Sequence, residues 1–229
     1  MENRRTFITK TAIGTAGVSV GLTAISAKSY GRILGANERI NMGVIGLRGR
    51  GQGLMDGFSS MYGEGVYIKT VCDVDTQYLE PSRELVAEKQ EGNKPDTVQD
   101  LRQIFDDPEI DAVAMATPNH WHALGSIWAC QAGKHVYVEK PSSHNIWEGR
   151  KMVEAARKYN RLVQVGFQNR SISHVRQAMC LLHSGGIGDV FMARGTCFKP
   201  RDTFGISEDS EAPTILDYDL WLGPASYRP

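Results

Sequence analysis

The sequence predicts an α/β fold, a doubly wound parallel sheet followed by the start of a second α/β domain. Three observations carry this. Apolar runs of strand length alternate with helical patterns from residue 40 to about residue 167, the rhythm of a parallel sheet covered on both faces. The first run, Ile40-Asn41-Met42-Gly43-Val44-Ile45, leads straight into Gly46-Leu47-Arg48-Gly49-Arg50-Gly51, the strand, glycine-rich turn and helix start that hold a pyrophosphate. A later run, Val136-Tyr137-Val138, ends on Glu139-Lys140-Pro141. Proline disfavours helix at the residue before it, so Lys140 is expected at a strand exit. Ligands of open parallel sheets bind at such exits. An arbitrary lysine there is a surface residue; the neighbours of Lys140 argue for a proton donor or acceptor.

Composition narrows the class. The 229 residues are 41% hydrophobic and 23% charged, and 26 basic side chains balance 26 acidic ones. That describes a globular protein of one large or two modest domains, with no field favouring nucleic acid or an anionic membrane. Asn3-Arg4-Arg5-Thr6-Phe7-Ile8 precedes an uncharged, small-residue apolar stretch over 12–27. This order reads as an export signal of the twin-arginine type, hence a periplasmic protein, or a cytoplasmic one if the signal is unused. The stretch is too short and glycine-rich for a stable membrane span. The domain expectation is an export signal and linker over 1–36, a dinucleotide-binding domain over 37–170, and the incomplete beginning of a substrate and oligomerisation domain over 171–229. Cys72, Cys130, Cys180 and Cys197 lie in apolar runs without a C-x-x-C pair, which predicts buried free thiols. The six histidines show no ligand spacing, so no metal site is expected.

The elements follow in order. In the turn, Gly46 makes the tight bend and Gly51 lets the next helix, about 52–60, pack closely. Arg48 stands where the fingerprint's second glycine would be, with Gly49 after it, which leaves Arg48 or Arg50 to approach a phosphate. The second strand, 66–72, ends on Asp73, 27 residues beyond Gly46. An acid there bonds both adenosine ribose hydroxyls and repels a 2′-phosphate, so NAD is favoured over NADP. Asp75 is expected to cap the helix at about 77–89. Asp100 caps a short helix carrying Leu101, Ile104 and Phe105, and Asp107-Pro108 ends it. A further strand, the fully apolar 112–116, exits into Thr117-Pro118-Asn119-His120-Trp121-His122 and a helix to Gln131 with Ala132-Gly133 as its stop. A helix over 146–159 and a strand in Leu162-Val163-Gln164-Val165-Gly166-Phe167 complete the sheet.

These motifs together resemble the Gfo/Idh/MocA oxidoreductases. The resemblance rests on the glycine turn, Asp73, Ala116-Thr117-Pro118-Asn119-His120-Trp121-His122, Glu139-Lys140-Pro141 and Gly166-Phe167-Gln168-Asn169-Arg170. It implies an NAD(P)-binding Rossmann domain, an α/β domain whose sheet covers the nicotinamide, and a homo-oligomer. It implies that Lys140 is the catalytic lysine, that its bond to Pro141 is often cis, and that Glu139 lies near the cofactor ribose. Gly46, Arg48, Gly49, Gly51, Asp73, Thr117, Pro118, Asn119, His122, Glu139, Lys140 and Gln168 then belong to the cofactor site, with Gln168 and Arg170 also toward the substrate mouth. His120 and Trp121 read equally well as a helix start with a packed aromatic. The implied substrate is small and sugar-like: a sugar, cyclitol or glycoside oxidised at a secondary hydroxyl. Some exported relatives instead cleave glycosides with tightly held NAD, and one yeast relative is a non-catalytic binder.

The aspartate and histidine spaced four apart that the family also uses have no counterpart between Ser171 and Pro229. The chain therefore reads as the front of a longer protein, or as a cofactor-binding remnant. A helix ending near His183, one strand over 190–198 and the aromatic Asp217-Tyr218-Asp219-Leu220-Trp221-Leu222-Gly223-Pro224 make up this part. The expectation is a chain that binds NAD without turnover, self-associates through residues beyond Arg170, and is trimmed by protease to near that residue.

Overall fold

The computed structural model describes residues 39–227, apart from 198, 199, 204 and 207; the expected export signal lies outside the described residues. Six strands form one sheet: β1 Ile40–Ile45, β2 Val66–Cys72, β3 Asp96–Val98, β4 Ala112–Met115, β5 His135–Glu139 and β6 Val163–Gly166. The order is β3-β2-β1-β4-β5-β6 and every pairing is parallel. This is the doubly wound Rossmann order, whose crevice opens where the winding reverses, between β1 and β4.

Alternation along the strands builds two apolar layers. Val113 and Met115 of β4 join Ile104, Phe105, Ala129 and Val138 in one layer, while Ala114 joins Val44, Leu54, Met55, Ile68 and Val86 in the other. The second layer is covered by α1 (Arg50–Ser59) and α2 (Leu79–Lys89), and the first by α3 (Arg102–Asp106), α4 (Asn119–Gln131) and α5 (Ile146–Lys158). Polar groups set the helix starts. The Asn145 side chain accepts from the Glu148 N–H at the start of α5, and Asp100 accepts from the Arg102 N–H at 2.9 Å. Asp75 accepts from the Gln77 N–H and caps a 3₁₀ turn, Thr76–Tyr78, ahead of α2.

Beyond β6 the chain changes character. A 3₁₀ turn, Gln168–Ser171, leads to α6, Ser173–His183, in which no residue is buried. The strand expected over 190–198 does not form in its described part, because a strand needs a neighbour to take its N–H and C=O groups and none of the described strands pairs with it. Cys72 and Cys130 are buried as expected, but Cys180 and Cys197 are exposed free thiols; among the described residues, α6 buries none of its own. The chain then returns. Leu216 forms an antiparallel bridge with Asp75, and a short helix, α7 (Tyr218–Leu222), packs against the start of α4. No helix among the described residues is long and apolar enough to cross a membrane.

Candidate cofactor and active site

The site is built at the carboxyl edge of the sheet, beginning with the turn after β1. Gly46 has φ +82°, and a Cβ on it would lie 2.8 Å from the backbone of Ala116 at the exit of β4. A Cβ on Gly51 would lie 1.8 Å from the Gly46 carbonyl oxygen. Both positions thus exclude a side chain, one by conformation and contact, the other by helix packing. Gly49 differs: its φ is +53°, but nothing lies within 4 Å of a Cβ there. It lines the cavity described below, with room beside it.

Asp73 follows directly from β2. Its Oδ2 accepts from the Leu47 N–H at 2.7 Å and its Oδ1 from the Asp75 N–H at 3.0 Å. The carboxylate is therefore tied to the glycine turn and oriented by backbone. Partial burial pushes its pKa above the ordinary 3.8, while the two N–H donors pull the other way. A carboxylate offers about four lone-pair sites, so two remain for ribose hydroxyls.

Gly46, Arg48, Gly49, Asp73, Thr117 and Pro118 line a single cavity of about 490 Å³. Arg48 reaches over the Tyr78 ring, 5.7 Å from its centroid, at the rim. Thr117 Oγ1 is buried at the wall and has no hydrogen-bond partner among the described residues. A buried hydroxyl without a partner is unfavourable unless a ligand supplies one. The free hydroxyl, the open cradle at Gly49 and the oriented Asp73 fit a dinucleotide.

Other candidate residues stand beside this cavity rather than on its wall. Asn119 is the exposed first residue of α4. His122, 2% exposed, lies beneath: its Nδ1 is 2.5 Å from the Pro141 carbonyl oxygen and its Nε2 2.8 Å from that of Thr117. The ring thus sits between the exits of β4 and β5. The Lys140–Pro141 peptide is cis, and Lys140 is exposed at the end of β5. Glu139, 5% exposed, carries a polar cluster. Its Oε1 accepts from Arg50 Nε at 2.7 Å and also from Gln168 Nε2, which donates to Tyr137 Oη at 3.0 Å. Gly166 leaves the room: a Cβ there would lie 2.8 Å from Glu139 Oε1. The pair with Glu139 raises the Arg50 pKa further. Arg50 is thus held by Glu139, and of the two arginines in the turn only Arg48 lines the cavity. Arg170 is exposed in the turn after β6.

Sequence reasoning missed the far wall. Leu216, Leu220 and Trp221 line the same cavity. Trp121 holds this wall, donating from Nε1 to the carbonyls of Leu220 and Trp221 at 3.0 and 3.1 Å, and is itself 7% exposed. The proline- and aromatic-rich composition of 217–224 was the one available signal.

Comparison with known proteins identifies the domain. Residues 40–167 match the Gfo/Idh/MocA model, described as an oxidoreductase family with an NAD-binding Rossmann fold. A levoglucosan dehydrogenase of Pseudarthrobacter phenanthrenivorans is 40% identical over 97 residues, 42% of this chain and 25% of that protein. A glycosyl hydrolase family 109 protein of Shewanella pealeana is 29% identical over 170 residues, covering 67% of this chain and 37% of that protein. The solved apo levoglucosan dehydrogenase aligns with a TM-score of 0.59 at 27% identity, over 66% of this chain and 39% of that one. The chain thus spans well under half the length of these relatives. A match over that glycine turn, both strand exits and the whole sheet makes the chain a member of the Gfo/Idh/MocA oxidoreductase family, with NAD as the cofactor of its Rossmann domain.

Proposed function

We propose that the protein is an NAD-dependent dehydrogenase acting on a secondary hydroxyl of a sugar, cyclitol or glycoside, with Lys140 as its acid–base group. The observation that carries this reading is the convergence of four strand exits. Those of β1, β2 and β4 share one cavity of about 490 Å³, and the next exit along the sheet, that of β5, bears Lys140. NAD, when bound, supplies the hydride acceptor. A secondary alcohol that becomes a ketone must also lose its hydroxyl proton, and the Lys140 amine is the base offered for it. Residues 171–229 are read as the beginning of the substrate and oligomerisation domain. The test is NADH formation by the natural gene product over a panel of sugars, cyclitols and glycosides, set beside its Lys140→Ala variant. Turnover that is NAD-dependent and lost in the variant supports the reading; equal turnover by both returns Lys140 to an ordinary surface lysine.

A second reading has its own observation, the family 109 glycosyl hydrolases among the relatives. Such chemistry oxidises the sugar, eliminates the aglycone, adds water and reduces the product back, with no net consumption of NAD. Glycoside cleavage without NADH accumulation selects it over the dehydrogenase.

A further inference from the structure

We propose that residues 213–225 are a working part of the dinucleotide site, with Leu216, Leu220 and Trp221 forming the wall that faces the adenine. This deepens the reading of the cavity as the NAD site and rests on it. The family match ends at residue 167, so nothing in it gives this segment a role.

The segment is fixed to the rim by both of its ends. On one side Leu216 bridges Asp75, the Thr76 N–H donates to the Ile215 carbonyl at 3.0 Å, and the Asp217 N–H donates to the Val74 carbonyl at 3.0 Å. These residues follow directly on Asp73. On the other side, besides the two bonds from Trp121, His120 Nε2 lies 2.9 Å from the Trp221 carbonyl oxygen. The Trp221 ring stacks on Tyr218 and meets His120 edge-on. Gly223, at φ +49°, closes the turn so tightly that a Cβ there would lie 2.1 Å from the Trp121 ring. The segment therefore spans from the exit of β2 to the start of α4, over the crevice a nucleotide enters.

Position along the cavity assigns the ligand part. The turn at Gly46 and Gly49 takes the pyrophosphate and Asp73 the ribose. Lys140, which the proposed function would put at the nicotinamide end, is not on this cavity's wall. Beside Asp75 and Gln99, the same cavity is lined by the apolar Leu101, Leu216, Leu220 and Trp221. A flat base with two π faces suits such a slot, because aliphatic and aromatic surface can cover it without leaving polar groups unpaired.

The test uses AMP, which has adenine, ribose and one phosphate but no nicotinamide. Hydrogen exchange of the 229-residue chain should slow on adding AMP both at the glycine turn and at residues 215–222. Protection of the turn and of 73–76 with unchanged exchange at 215–222 overturns the proposal and leaves the cofactor site standing. No protection anywhere contradicts the cofactor reading as well. As a second arm, Leu220→Ala should weaken AMP and NAD binding in parallel by about tenfold. Unchanged affinity for both in a folded variant also overturns it.

Discussion

Arg50 and Glu139, 89 residues apart in sequence, are joined Nε to Oε1 at 2.7 Å. The pair links the first residue of the helix after the glycine turn to the last residue of the strand that carries Lys140. The two halves of the crevice are thus braced against each other through a buried carboxylate. Arg50 remains 48% exposed while Glu139 is nearly enclosed, so the acid loses more when the pair is broken. Arg50→Met should destabilise the fold by about 1–3 kcal/mol, the range for leaving a buried polar group short of a partner. Glu139→Gln added to it should cost less than the sum of the two single changes. Denaturant unfolding of the four proteins checks this, and strict additivity would show that the bond contributes nothing.

The glycines of the turn and helix should separate cleanly. Gly51→Ala drives a Cβ into the Gly46 carbonyl and should lower the melting temperature and NAD affinity together. Gly57, in the same helix, has nothing within 4 Å of a Cβ, so Gly57→Ala should stabilise by about 1 kcal/mol. Thermal unfolding of both variants distinguishes contact from propensity. Equal effects would remove the packing argument.

NAD affinity should fall with acid earlier than an ordinary aspartate predicts. The folded pKa of Asp73 is raised, first by desolvation. The ionised form accepts two ribose hydroxyls; the protonated form loses acceptor capacity. Binding is therefore strongest above the raised pKa and weakens as pH falls through it, at a pH above 3.8. For stability the sign is opposite to that of a salt-bridged carboxylate: the ionised form costs more folded than unfolded, so this group's penalty appears as pH rises through the ordinary value. Titrations of NAD at a series of pH values, repeated with Asp73→Asn, test the binding arm. A pH dependence that survives in Asp73→Asn would assign it elsewhere.

Limited proteolysis should cut between residues 189 and 212, where the described residues form neither helix nor strand. The sequence alone suggested trimming to Arg170, but 213–225 are bonded to the sheet edge. The expected product is a nicked chain whose C-terminal piece co-elutes with the domain. Self-association through α6, where Met179 and Leu181 are 44% and 54% exposed, would raise the mass seen by light scattering both before and after the cut, because α6 stays on the N-terminal piece. A monomer before and after excludes that role for α6.

Most of the sheet was legible because each long strand is an apolar run closed by a glycine, proline or acid. Asp96–Val98 was not: three residues beginning with an aspartate have no period, and β3 exists through its pairing with β2. The converse error was 190–198, apolar enough for a strand but without a partner. In the site, Gly46, Gly51 and Asp73 were readable from local backbone needs. The placing of His122 between two carbonyls, the hold of Glu139 on Arg50 and the wall at Leu216–Trp221 depend on residues brought from far along the chain. No spacing rule reaches that distance.

The central claim is that the cavity at the exits of β1, β2 and β4 holds NAD. Calorimetric titration of the chain with NAD and NADP tests it most directly, with Asp73→Ala alongside. The account predicts one NAD per chain, weaker binding of NADP, and a variant in which NAD affinity drops about tenfold or more and the preference narrows, as loss of a charge-assisted acceptor requires. Identical isotherms for the protein and its Asp73→Ala variant with both nucleotides would contradict it.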